Sequence, residues 1–164
     1  MVRSHPGPAA VFASVFRETA PGSRAFTNLG VLPGADVPSF GVAFVRVSPD
    51  GSKIAVGNNG GASFGNFQVG VFTIASLTGT WFSANHFDAA WIDNRFVAIT
   101  AGSFGSPSFV TALDSSSPNP ASPSNVTIVD DIGGASGGVA LDGAGNLYAV
   151  NGFASGGPSS TGAV

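Results

Sequence analysis

Apolar and polar residues alternate over short stretches along the chain, and Gly, Pro, Asn, Asp and Ser interrupt them every few positions. In "AFVRVSPDGSKIAVG", residues 43–57, one alternating run leads into Asp50-Gly51 and a second follows. A period of two puts successive side chains on opposite faces of a strand, and Asp-Gly tolerates the positive φ of a tight hairpin. "GGVALDGAGNLYAV", residues 137–150, repeats that order around Asp142. No window of helical length keeps apolar residues at i, i+3, i+4 and i+7 without Gly, Pro or a polar cluster breaking it. The pattern predicts an all-β chain.

The hairpins recur. Ile54 in "SKIAVGNNG", Phe96 in "NRFVAITAG" and Leu147 in "GNLYAVNG" stand 42 and 51 residues apart, close to the period of roughly 40 to 50 that marks propeller blades. After each comes a Gly/Ser-rich loop ("GNNGGASFGNF", "AGSFGSPSF", "GFASGGPSSTG") and then an apolar run ("FQVGVFTI", "SFVTALD", "GAV"). "TWFSANHF" and "NVTIVDDI" supply a fourth strand to the first two units. With strands lettered A to D outward from the axis, residues 42–86 and 87–134 form complete blades, and 136–164 form a blade that stops inside strand C. Upstream, "AAVFASVF" and "SRAFTNLGVL", within residues 9–34, read as strands C and D of a preceding blade. The expected fold over residues 1–164 is a partial β-propeller of four-stranded antiparallel blades.

Composition fits this and narrows function. With 24 Gly and 11 Pro, the chain is still 43% hydrophobic and only 9% charged, whereas disorder calls for low hydrophobicity and high net charge. The 9 acids and 6 bases are scattered, so no basic stripe exists for nucleic acid. No apolar run reaches the roughly 18 residues of a membrane span, so no transmembrane segment is expected. The absence of cysteine excludes disulfides, Cys-ligated zinc and thiol catalysis. The strand aromatics Phe44, Phe72, Trp81, Phe82, Trp91, Phe96 and Tyr148 are expected to pack blade against blade.

"FVRVSPDGSKIAVG" resembles the strand-turn-strand of surface-layer YVTN-type propellers, and "GGVALDGAGNLYAVNG" is similar to NHL-type repeats. The resemblance runs over roughly residues 40–152. It departs most in the second blade, where "DNR" replaces an Asp-Gly turn, and the Gly-His and Trp-Asp signatures of WD repeats are missing. Closed propellers have roughly 4 to 8 blades. Two arrangements cover the open ends: the chain is a fragment of a six- or seven-bladed propeller, or it self-associates through its open blade edges. The fragment is favoured, since "TGAV" breaks off as a strand begins.

In propellers of this kind the resemblance implies a ligand face at the D-to-A and B-to-C loops. The polar residues falling there are Asp36, Asn58, Asn59, His86, Asp88, Asp130, Asp131 and Asn151. Asp88 lies where metal-dependent lactonase-like propellers place an Asp or Asn ligand, yet Ala43 and Gly137 occupy the matching positions. A hard cation wants six or more oxygens. The alternative for Asp88 is a bond to a neighbouring backbone N–H. His86 beside Asp88 has the composition of an oriented base but no nucleophile accompanies it. Asn58, Thr100 and Asn151 occupy equivalent positions, and their plainer role is to bond the adjacent loop backbone. "GNNGGASFG" is no phosphate cradle, because a strand and not a helix follows it. Phe64, Phe104 and Phe153 recur in the B-to-C loops, where stacking on a ligand or packing between blades would serve.

Two functions fit. The favoured one is a non-catalytic module, extracellular or at a bacterial surface, that presents its loop-rich face to a protein or glycan and needs no cofactor. The alternative is a lactonase-like hydrolase with an incomplete calcium site.

Overall fold

The computed structural model describes residues 13–33, 38–60, 67–101, 109–129 and 135–153. Asp36, Asp130 and Asp131, together with Phe64 and Phe104, lie outside them. Strands β1 (Ser14–Glu18) and β2 (Phe26–Val31) form a two-stranded sheet. A four-stranded antiparallel meander follows: β3 (Pro38–Val47), β4 (Lys53–Gly60), β5 (Gln68–Thr73) and β6 (Gly79–Ser83). A second meander comprises β7 (Asp88–Trp91), β8 (Phe96–Ala101), β9 (Phe109–Asp114) and β10 (Asn125–Val129). β11 (Ala135–Leu141) and β12 (Leu147–Phe153) pair as a final hairpin. Among the described residues there is no helix, and so none able to cross a membrane. The fold is all-β, and its sheets do not close on themselves: it is a partial β-propeller.

The hairpin turns show why the chain reverses where it does. Around Asp50 the carboxylate Oδ1 accepts from the Ser52 amide at 2.9 Å and from the Ser48 hydroxyl at 2.7 Å, while Gly51 takes φ +70. Asp142 does the same for the last hairpin, accepting from the Ala144 and Asn146 amides at 2.9 and 2.8 Å, with Gly145 at φ +84. The shorter "DNR" turn manages without glycine because Asp93 Oδ1 accepts from the amides of both Arg95 and Phe96 at 2.7 Å. These Asx turns hold the strands in equivalent registers, Val47 opposite Ile54 and Leu141 opposite Leu147.

Alternation along each strand then feeds two layers of core. Ile54 and Val56 pack with Leu32 and Phe72 toward β1–β2, whereas Ala55 joins Phe44, Val71 and Phe82 toward β7–β8. Along β8, Val97 and Ile99 face the preceding sheet and Ala98 faces β11–β12 with Val110 and Val139. The middle strands of each complete sheet are therefore buried on both faces, as stacked blades require. Gly79 lets β6 start hard against β5, since a Cβ there would collide with the Val71 carbonyl oxygen.

Trp81 donates its indole N–H to the Pro33 carbonyl at 2.9 Å, and Trp91 donates to the Arg46 carbonyl at 3.0 Å, so each tryptophan ties its blade to the one before. Tyr148 differs from the other strand aromatics, being 48% exposed, because it lies on the face of β12 that turns away from the stack.

The two meanders share an orientation. The Asp50 amide donates to Asn94 Oδ1 at 3.2 Å and Lys53 Nζ donates to the Asn94 carbonyl at 2.7 Å, which brings the A-to-B turns together at one end. The ends of β4 and β8, from which the Gly/Ser-rich loops depart, are consequently at the other. β7 packs between β3 and β11, so the first strands of the three units run side by side.

Candidate functional site

Near the loop end, Asp88 stands at the start of β7 and His86 just before it. Asp88 pairs with Thr100 of β8, and its amide donates to the Thr100 hydroxyl at 3.0 Å. That hydroxyl in turn reaches the Gly137 carbonyl at 3.0 Å in the next unit. One Asp88 oxygen, Oδ1, accepts from Arg46 Nη2 at 2.5 Å and from the Ala89 amide at 2.8 Å. The other, Oδ2, accepts from the Val139 amide at 3.1 Å. Arg46 adds a bond from Nε to the Ala89 carbonyl at 2.8 Å.

Asp88 therefore joins three consecutive units, Arg46 on one side and Val139 on the other. Its two oxygens have charged or amide donors, and a guanidinium already balances its charge. A calcium ion at Asp88 would have to displace Arg46, and among the described residues no three of His, Asp and Glu cluster closely enough to hold a metal.

His86 goes elsewhere. It is fully buried, with Nδ1 3.0 Å from the Ala84 carbonyl and its ring edge-on to Phe44 and Phe67. Facing a carbonyl, Nδ1 must be the protonated nitrogen, which leaves Nε2 as a bare lone pair with no partner. The space it occupies exists because residue 57 is glycine, whose Cβ would stand 2.8 Å from Nε2. Burial lowers the His86 pKa from 6.5, since the imidazolium would be stranded among apolar rings, and the Ala84 carbonyl only partly offsets that. No hydrogen bond links His86 to Asp88, and the ring does not meet solvent.

The remaining candidates are placed by backbone alone. Asn58 sits in β4 opposite Val42 and Gln68, Asn59 follows it, and Asn151 sits in β12 opposite Ser136. Asn58, Thr100 and Asn151 thus occupy matching positions on the second strands of three units.

Sequence reasoning missed Arg46. A signal was present, because the chain is sparing with charge and Arg46 and Asp88 lie on the first strands of successive units. Opposite charges on the first strands of neighbouring units meet across a blade interface.

Comparison with family models, curated proteins and solved structures finds no match to this chain.

Proposed function

We propose that the protein is a non-catalytic β-propeller module of YVTN or NHL type, exported or surface-associated, whose loop-rich end binds a protein or a glycan. The observation that carries this reading is the commitment of its best chemical candidates to structure: Asp88 is bonded into three units, and His86 is enclosed. What remains for recognition is the end from which "GNNGGASFGNF" and "AGSFGSPSF" depart, rich in small polar groups that bond without charge. Asn58, Asn59 and Asn151 border that end, and Asp36, Asp130 and Asp131 fall in the connections leading to it. Self-association through blade edges belongs to the same reading.

The test combines a glycan array with assays of lactone and ester hydrolysis in calcium, zinc and manganese. Binding that is lost on Asn59→Ala or Phe64→Ser, with the melting temperature unchanged, supports the module. Metal-dependent turnover abolished by Asp88→Asn would replace it with a hydrolase.

A further inference from the structure

Of the ten asparagines in the chain, Asn125 alone heads an Asn-x-Ser/Thr triplet, "NVT" over residues 125–127, with valine and not proline in the middle. Such a triplet is the acceptor for oligosaccharide in exported proteins, provided that the folded product leaves it at the surface. It opens β10, the last strand in the order of the second meander.

The fold decides whether a sugar can stay there. Asn125 lies opposite Leu113 of β9, and Thr127 lies opposite Thr111. Cross-strand partners share a face. Leu113 packs with Phe44, Val71 and Phe82 of the β3–β6 sheet, so Asn125 and Thr127 belong to the side of β10 that turns toward that sheet. All four of its strands are described, and still both residues are exposed. β8 and β9 are buried over five of their six residues, whereas four of the five in β10 are exposed. Sheets arranged radially diverge with distance from the axis, and by the fourth strand the gap between them is open to solvent.

Other asparagines work for the fold. Asn28 Oδ1 accepts from the Gly30 amide at 2.8 Å, Asn94 Oδ1 accepts from the Asp50 amide at 3.2 Å, and Asn146 Nδ2 donates to Asp142 at 2.8 Å. Among the described residues no hydrogen bond engages the side chain of Asn125, so Nδ2 can be substituted without losing one. The segment before it, "SSSPNPASPS" over residues 115–124, carries three prolines that cannot donate to a sheet.

We propose that Asn125 is an N-glycosylation site that takes its sugar from a lipid-linked oligosaccharide diphosphate. Nδ2 forms a bond to the anomeric carbon, and the bond from that carbon to the diphosphate oxygen breaks. The lipid diphosphate leaves with the electron pair, and Nδ2 gives up one proton. The Thr127 hydroxyl, two residues on and on the same face, marks the amide as an acceptor. The site has use only in an exported protein and so rests on that part of the proposed function.

Translation of the chain behind an export signal, with endoplasmic-reticulum microsomes, supplies the export route. One glycan is expected, read as a mobility shift that peptide N-glycosidase reverses. Asn125→Gln and Thr127→Ala should each abolish the shift, and Thr127→Ser should retain it. A translocated chain without a glycan overturns the proposal, as does a glycan that survives Asn125→Gln. Secreted from eukaryotic culture, the glycosylated protein should show the same sheet circular dichroism before and after the sugar is released. Secretion of Asn125→Gln but not of the unaltered chain also overturns the proposal, because the sugar would then be blocking the fold. A glycosylated protein that binds nothing on the glycan or protein arrays would strike the binding function and leave the site standing, and one that binds but stays unmodified would do the reverse.

Discussion

The interfaces on either side of the β7–β10 sheet bury side chains of different size. Between the β3–β6 and β7–β10 sheets lie large side chains, among them Phe44, Phe82, Trp91, Ile99 and Leu113, all buried. Between β7–β10 and β11–β12 the buried residues are Ala90, Ala98, Val110 and Val139. Polar bonds cross both: Arg46, Asp50, Lys53 and Trp91 donate across the first, thick interface, while across the second, thin one the Val139 amide donates to the Asp88 carboxylate and the Thr100 hydroxyl to the Gly137 carbonyl. Apolar burial is large but has no direction. Hydrogen bonds add less energy and fix the register. The thick interface adds large apolar area to its polar bonds, and the thin one has little area beyond its own.

The largest expected effect tests the first half of that contrast. Phe82→Ala removes a fully buried ring from the thick interface and should cost about 3–5 kcal/mol in urea unfolding. Val110→Ala, equally buried but in the thin interface, should cost about 1.5 kcal/mol from two lost methyl-sized groups. Equal losses would mean that the two interfaces share their load and that the contrast is wrong.

Asp88→Ala comes next. It leaves Arg46, Ala89 and Val139 donors without an acceptor, which should cost about 2–3 kcal/mol. Hydrogen exchange should quicken at Val139 more than at Ala55, and a uniform change across both interfaces would deny Asp88 its local role. Asp88→Asn, which keeps an acceptor, should lose less.

Gly57→Ala probes the thick interface from the opposite direction, by overfilling. The added methyl would stand 2.5 Å from the Phe44 ring and 2.8 Å from His86 Nε2, and overpacking of this kind costs about 1–3 kcal/mol. A neutral result would show that Phe44 and His86 have room to retreat.

Much of this architecture was legible along the chain because its causes are local. Period-two alternation and Asp-centred turns announce the hairpins, and the spacing of Ile54, Phe96 and Leu147 announces their repetition. The "DNR" turn departs from the Asp-Gly pattern, yet the Asp93 carboxylate supplies the bonds that close the short loop. The site was less legible. Asp88 was expected either to bind a metal or to bond a backbone amide, and the donors that surround it include two backbone groups that no side-chain pattern advertises. The enclosure of His86 depends on the absence of a side chain at Gly57, in a different unit. Asp36, Asp130 and Asp131 fall outside the described residues, so the loop end of the candidate face stands on sequence alone.

His86 offers a pH test that only the thick interface should feel. Its unfolded imidazole takes a proton near pH 6.5, whereas burial lowers the folded value. Between the two the unfolded state holds more protons, so stability should fall as pH drops below 6.5 and level off once the folded value is passed. His86→Phe should flatten that segment of the profile. The carboxylates act lower down. Asp114, gripped by Arg95 through bonds of 2.9 and 2.6 Å, titrates well below its usual range, so its contribution is complete above 3.8 and is lost progressively as pH falls below that.

The smallest effect separates a hairpin from an interface. Asp142 bonds only within the β11–β12 turn, where Asn146 and Tyr148 hold its pKa down from 3.8 to about 2. The unfolded chain is protonated first as pH falls between those values, so acid removes a stabilisation that is complete above 3.8. Because the group is exposed, the change in melting temperature should be slight, and Asp142→Asn should make the acid slope shallower without touching the His86 segment. A carboxyl titration by NMR gives the sharper reading. A midpoint near 2 with normal exchange at Val139 would place the stabilisation in the turn, while a midpoint at the ordinary value would mean that the last hairpin owes its register to the Asp88 stitch alone.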